Sequence, residues 1–145
     1  MTIKSYLIEL QLEDDIVLSK FDMKFFNSLK DKKEIILDLR NGIYHTILFN
    51  NKKVGIVGYI KTKDSKIGFV QIIISPKFRG KGFMISEDIL AKKYNLKVLL
   101  ATIKKENVQS IKAHKKIGFT EFPKQKYSDK YKMLSKDKVR LYKKY

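Results

Sequence analysis

The residues with the most chemical content lie in one run, Ile74-Ser75-Pro76-Lys77-Phe78-Arg79-Gly80-Lys81-Gly82-Phe83-Met84. A β-branched stretch that stops at a proline and passes through Arg-Gly-Lys-Gly into a helix exposes backbone N–H groups at the positive end of a helix dipole. That arrangement grips a pyrophosphate with few side chains. Gly80 and Gly82 let phosphates approach the backbone, and Lys77 and Lys81 add positive potential. Taken alone, the same run also reads as an ordinary basic turn between a strand and a helix. His45 and His114 are the two imidazoles, the side chains able to move protons near neutral pH. The chain has no cysteine, which excludes disulfides, thiolate metal ligands and an acyl-cysteine route. Two histidines supply a zinc site poorly, and no metal is expected.

Elements must position these residues, and the apolar pattern predicts them. Tyr6 to Leu12 alternates as a half-buried strand. Asp14 or Asp15 then offers an N-cap to a helix carrying Leu18, Phe21, Phe25 and Leu29 on one face. Glu34 to Arg40 reads as a second short helix ending near Asn41-Gly42. Three antiparallel strands follow at Ile43 to Phe49, Val54 to Ile60 and Ile67 to Ile74, separated by short polar turns. Ser75-Pro76 ends the third, because proline cannot donate to a central ladder. A helix is expected at Ser86 to Tyr94, with Asp88 and Lys92 at i, i+4. After it come a buried strand at Lys97 to Ile103, a helix at Asn107 to Lys116, a strand opened by Gly118-Phe119 and a last strand at Val139 to Lys143. This alternation makes the chain α/β, one domain over residues 1–145 without repeats or linkers.

A second motif, Glu106-Asn107-Val108-Gln109-Ser110-Ile111-Lys112-Ala113-His114-Lys115-Lys116-Ile117-Gly118-Phe119, follows the first at the distance of the next strand-helix-strand unit. With it the sequence resembles the GNAT superfamily of acyl-CoA-dependent N-acetyltransferases. The family's Gln/Arg-x-x-Gly-x-Gly/Ala loop after a strand and x-Pro is met by Arg79, Gly82 and, at its last position, Met84. Its Asn-x-x-Ser/Ala helix closing in Lys-x-Gly-Phe is met by Asn107, Ser110, Lys116, Gly118 and Phe119. The resemblance is strongest over residues 67–119. It implies a mixed central sheet of about six to seven strands flanked by about four helices, with two strands splayed at the acetyl-CoA site.

The resemblance also implies roles. The pantetheine arm of acetyl-CoA would bond the backbone of Ile72 and Ile74, and backbone N–H groups there would polarise the acetyl carbonyl. The pyrophosphate would sit over Arg79, Gly80, Lys81, Gly82, Phe83 and Met84, and Asn107 and Ser110 would face the cosubstrate. His114 stands at the family's usual tyrosine position and would protonate the departing CoA thiolate. Met84 replaces Gly or Ala, so its side chain must turn from the phosphates, and the span from Gly82 to Asn107 is short for the family, as a truncated helix would make it. Ile67 to Ser75 contains no acid, which excludes the glutamate base many members carry there. Water held by Gln71 or Ser75, and His45 or Tyr44, are the alternatives, or an amine that arrives deprotonated. The implied activity is transfer of acetyl from acetyl-CoA to a primary amine: a small molecule, an amino sugar, a protein amine or aminoacyl-tRNA. The rival is a non-catalytic protein of the same fold that binds acyl-CoA or RNA.

The 145 residues carry 32 Lys and Arg against 15 Asp and Glu, a formal charge of +17. Residues 73–145 hold 20 cations and 6 anions, and residues 1–72 hold 12 and 9. A field so placed attracts phosphorylated cosubstrates and makes nucleic acid or the ribosome an admissible partner. Only three of the cations are Arg, a bias that AT-rich codon usage also produces. In the tail, Tyr127, Tyr131, Tyr142 and Tyr145 alternate with cations, as on base-stacking surfaces or on the rim of a terminal hairpin. No run approaches the roughly 20 apolar residues of a membrane span. Met1 to Ser5 lacks the basic, apolar and small-residue segments of a signal peptide, so a cytoplasmic monomer or homodimer is expected.

Overall fold

The computed structural model describes residues 13–123 and 135–145. Its strands are β1 (Ile16–Lys20), β2 (Gly42–Phe49), β3 (Lys52–Lys61), β4 (Ile67–Ile74), β5 (Val98–Lys104), β6 (Thr120–Glu121) and β7 (Lys138–Lys144). They form a seven-stranded mixed sheet in the order β1-β2-β3-β4-β5-β7-β6. Neighbours are antiparallel except β4 and β5, which are parallel. Helices α1 (Met23–Ser28), α2 (Ser86–Lys93) and α3 (Val108–Lys116) flank the sheet, and Glu13, Asp14 and Asp15 are helical ahead of β1. The mixed α/β sheet with flanking helices is the expected architecture.

Local chemistry explains the turns. Asn50 and Asn51 join β2 to β3 with φ of 50° and 63°. Two consecutive left-handed residues match the twist of a two-residue hairpin, and Asn tolerates that conformation. Both longer helices stop in Schellman motifs. Asn95 (φ 53°) ends α2, with the Leu96 N–H donating to Ala91 O at 2.9 Å. Gly118 (φ 104°) ends α3, with the Phe119 N–H donating to His114 O at 3.0 Å. The Lys-x-Gly-Phe signature is therefore a helix stop that drops Phe119 into the core beside His114, ring centroids 5.0 Å apart.

Side-chain alternation gives the sheet two apolar faces. One buries Ile47, Val57, Tyr59, Leu99, Ala101 and Leu141 with Leu90 of α2 and Phe119. The other buries Tyr44, Ile56 and Ile73 under Phe26 and Leu29, which flank or belong to α1.

Three local expectations are corrected. No helix runs from Asp14 to Leu29. Ile16–Lys20 instead pairs with β2, from Ile16 opposite Phe49 to Lys20 opposite His45, and the helix begins only after Asp22. The Asp22 Oδ1 accepts the Phe25 N–H at 3.1 Å as the N-cap. The 3.6-residue spacing of Leu18, Phe21, Phe25 and Leu29 is thus shared between a strand and a short helix. Glu34 to Arg40 is not helical either, beyond a 3-10 turn at Lys32–Glu34. Ile35 and Leu37 pack inward while Ile36 is 85% exposed, a period of two, and Asp38 Oδ1 accepts the Arg40 and Asn41 N–H groups to turn the chain. Finally, Asp88 does not pair with Lys92. It accepts from Lys143 Nζ at 2.8 Å and Tyr145 OH at 2.6 Å, and Lys92 reaches Glu13. The strand expected at Tyr6 to Leu12, and Tyr127 and Tyr131, lie outside the described residues.

Among the described residues no helix is long and apolar enough to cross a membrane, and no group of three His, Cys, Asp or Glu is arranged to hold a metal.

Candidate active site

β4 and β5 pair at only three positions, Ile67 with Val98, Gly68 with Leu99 and Phe69 with Leu100. Past them β4 stays with β3 as far as Ile74 opposite Gly55, and β5 stays with β7 as far as Lys104 opposite Lys138. The two strands therefore splay. The Ser75 N–H donates to Val54 O on β3 at 2.9 Å. By the two-residue alternation of a strand, the backbone groups of Ile72 and Ile74 point the other way, into the opening. Arg79 Nε donates to Ile74 O at 3.0 Å, so the edge offered to the opening is the N–H and C=O of Ile72 and the N–H of Ile74.

At the mouth of the opening the chain turns through Pro76–Phe78 and then Gly80 and Gly82, with φ of 73° and 92°. A Cβ built on Gly80 would meet nothing within 4 Å, so this backbone lies open. Phe83 anchors the turn below, buried at edge-on contact with Phe49 and Phe78, centroids 5.1 and 6.1 Å away. Lys77 and Lys81 lie over Phe78 at 5.2 and 5.9 Å from its centroid. Met84 is half-buried in the 3-10 turn that leads into α2. Arg79 turns back to ion-pair with Asp31 as well as to bind Ile74 O, so its side chain braces the loop. The first turn of α2 keeps the fully buried Ser86 Oγ without a protein partner. An open glycine backbone, a helix start and an orphaned hydroxyl together fit a phosphate group.

α3 supplies the remaining predicted residues. Asn107 is its N-cap, Oδ1 accepting the Ser110 N–H at 3.2 Å, and Ser110 is half-buried. His114 is only 3% exposed. Its Nδ1 lies 2.8 Å from Ser110 O, and its Nε2 lies 2.8 Å from Glu87 Oε2. A carbonyl only accepts, so Nδ1 carries a hydrogen, and a second proton lies between Nε2 and the carboxylate. Burial by itself would push the imidazole pKa down. The Glu87 charge, its hydrogen bond and the Ser110 carbonyl outweigh burial, and the pKa ends above its ordinary value.

Glu87 is the residue that sequence reasoning missed. It is fully buried on α2, and its Oε1 has no protein partner. A signal existed: an acid one turn before Leu90 and Ala91 lies on that helix's apolar stripe.

The alternative proton acceptors are dispersed. Tyr44 lies across Gly58, where a Cβ would come within 2.3 Å of its ring. Its hydroxyl donates to Gln71 Oε1 and accepts the Asp38 N–H at 2.9 Å. Gln71 Nε2 donates to Ile36 O at 2.9 Å. Both side chains thereby fasten the segment after α1 to the sheet, and burial raises the Tyr44 pKa. His45 stands two strands from the opening, in the row His45, Val57, Ile72, with its ring nitrogens on Ser19 O and Tyr94 OH. Ser75 is half-buried where β4 ends.

The fold recurs in solved structures. The fold is similar to that of N-acetyltransferase PseH of Campylobacter jejuni, solved with acetyl coenzyme A, at TM-score 0.64 and 15% identity over 89% of this chain and 98% of that one. A point variant of the spermidine N-acetyltransferase SpeG of Vibrio cholerae aligns at TM-score 0.68 and 17% identity, over 90% and 94%. A Bacillus subtilis acetyltransferase solved with CoA aligns at 0.66 and 18%, over 90% and 97%. No curated protein matches the chain by sequence. The model of the Acetyltransferase (GNAT) family matches residues 9–119, a span that holds the splay, the glycine loop and the Asn107 helix, and the chain belongs to that family.

Proposed function

We propose that residues 1–145 act as one GNAT domain that transfers an acetyl group from acetyl-CoA to a primary amine in a ternary complex. The observation that carries this reading is the splay: an unpaired β4 edge at Ile72 and Ile74 that runs into an open glycine loop at the start of α2. Bound acetyl-CoA supplies an activated thioester carbonyl with CoA thiol as its leaving group. The chain's part is to hold and orient. Ile72 and Ile74 offer strand-type hydrogen bonds for an amide-bearing pantetheine arm, and an N–H at this edge aimed at a carbonyl oxygen stabilises the charge that develops there. Gly80 to Met84, with the α2 dipole, Ser86 and Lys77 and Lys81, take the phosphates. Asn107 and Ser110 border the site from α3.

The His114 proton-donor role is carried by its position in the motif. As a donor it must first release Glu87, and its burial supports a different role, that of a clamp between α2 and α3 that keeps the phosphate end of α2 in place. A pH–rate profile separates the two, because loss of a donor removes the basic limb of kcat while loss of a clamp raises the acetyl-CoA KM at every pH. Deprotonation of the amine is left to solvent in this scheme, since Tyr44, Gln71 and His45 are engaged elsewhere.

The test is calorimetric titration with acetyl-CoA and with CoA at low and moderate salt. Saturable one-to-one binding that survives moderate salt is expected, followed by thiol release on addition of an amine. A protein that binds RNA in a salt-sensitive way but not CoA would be the non-catalytic relative instead.

A further inference from the structure

Arg79 opens the glycine loop, where its place in the motif implies a phosphate contact, yet its guanidinium is engaged by the protein at both ends. Nε donates to Ile74 O at 3.0 Å, and Nη2 ion-pairs with Asp31. Asp31 lies past α1 and leads into the 3-10 turn at Lys32–Glu34. The stretch beyond that turn is fastened to the sheet twice, Gln71 Nε2 donating to Ile36 O at 2.9 Å and the Asp38 N–H donating to Tyr44 OH at 2.9 Å. The ion pair is partly exposed, with side-chain exposures of 44% and 29%, and a pair so placed contributes little to stability. What it contributes is orientation, because it holds Nε on the Ile74 carbonyl.

That carbonyl is the last acceptor on the open edge of β4. The Ser75 N–H turns to Val54 O on β3, so Ile72 and Ile74 present their N–H and C=O groups to the splay. An extended ligand pairing with this edge has registers two residues apart to choose from, since the edge repeats at that interval. A register shifted toward the glycine loop needs Ile74 O to accept a ligand N–H, and the Arg79 guanidinium stands where that group would come. The register left open puts a ligand N–H on Ile72 O and ligand carbonyls on the Ile72 and Ile74 N–H groups.

We propose that Arg79 is a positioning residue, held by Asp31, that closes the Ile74 carbonyl and so sets the register in which the pantetheine arm of acetyl-CoA lies along β4. The phosphates fall to the backbone of Gly80 to Met84 and to Lys77 and Lys81. This rests on the acetyltransferase reading and deepens it, since the register decides how far along the edge the thioester reaches.

Two uncharged variants isolate the bond. Glutamine carries Nε2 as many atoms along its side chain as arginine carries Nε, so Arg79→Gln keeps a donor for Ile74 O, whereas Arg79→Met puts a methyl group there. The measurement is calorimetric titration at moderate salt with two probes: CoA, and 3'-phospho-ADP, which keeps the nucleotide and its phosphates but lacks the arm. The wild type is expected to bind CoA about tenfold more tightly than 3'-phospho-ADP, the arm supplying the difference. Arg79→Gln should keep that ratio within about threefold, and Arg79→Met should lose most of it through weaker CoA binding alone. Unchanged 3'-phospho-ADP affinity shows that the loop of each variant is folded. Asp31→Asn, which leaves Arg79 in place but less firmly held, should lower the ratio in the same sense, and it carries the test if Arg79→Met does not fold. Equal loss of both probes in Arg79→Gln and Arg79→Met would make Arg79 a phosphate ligand and overturn the proposal. A ratio that survives Arg79→Met or, where that variant does not fold, Asp31→Asn overturns it as well, and so does a wild type that binds both probes equally, because the arm then has no register to set. Failure of the wild type to bind CoA at all would sink the acetyltransferase reading itself, a result distinct from those in which CoA binds.

Discussion

Glu87 and His114 form a buried acid–base pair that ties the helix after the glycine loop to the helix after β5. Removing one partner of such a pair strands the other in a low-dielectric site, at a cost of about 3–5 kcal/mol. His114→Gln and Glu87→Gln should therefore both lower the melting temperature. The pH dependence has a definite sign. Because the His114 pKa is raised in the folded state from an ordinary value of 6.5, the stabilisation is complete below that value and is lost as pH rises through the folded pKa. Melting curves of the wild type should drop as the pH rises above 6.5, and those of His114→Gln should be flat over the same range. Parallel curves for the two proteins would mean that the pair does not titrate. Neither the orphaned Oε1 of Glu87 nor the Ser86 hydroxyl has a protein partner, which gives the α2 start polar capacity beyond its backbone.

The elements that matter are those that stop. β4 parts from β5 after Phe69, and α3 begins at a capping asparagine whose side-chain oxygen is engaged by the Ser110 N–H. The Asn-x-x-Ser signature is at least a helix cap, and substitution separates that role from contact with acetyl-CoA. Asn107→Ala should cost about 1 kcal/mol of stability, as loss of an N-cap does. Asn107→Asp keeps the cap while removing the amide. If calorimetric affinity for acetyl-CoA is retained in the Asp variant, Asn107 acts through the helix, whereas a tenfold loss with unchanged stability assigns its amide to the ligand. The neighbouring Gly118 stop was readable in the sequence, but its consequence, Phe119 packed edge-on to the buried His114 ring, was not.

At the scale of the whole molecule, the charge of +17 guarantees non-specific attraction to polyanions, and the question is what survives salt. Neutralising several phosphates makes affinity fall steeply with salt, roughly 10³–10⁵-fold between 50 and 200 mM for six to ten contacts. A single cosubstrate held largely by backbone groups should lose far less. Mobility-shift titrations with a random single-stranded RNA should show binding that disappears across that range. RNA affinity that persists at 200 mM would restore a nucleic-acid function.

From the sequence alone came the antiparallel run from β2 to β4, the stop at Pro76, the glycine loop and the two-motif signature of the family. These are local properties, written in strand alternation, turn residues and caps that each span fewer than a dozen neighbours. The region before β2 misled because Leu18, Phe21, Phe25 and Leu29 keep helical spacing while belonging to different elements, and only pairing with β2 turns Ile16–Lys20 into a strand. The site divided the same way. The open loop at Gly80 and Gly82 was legible, because a backbone that must approach a ligand needs glycine. The partners of side chains were not: Glu87 meets His114 across 27 positions, Arg140 meets Thr102 across 38 and Tyr44 meets Gln71 across 27. Such distances along the chain are closed by packing on the sheet, and packing decides which polar groups turn inward to one another and which face the splay.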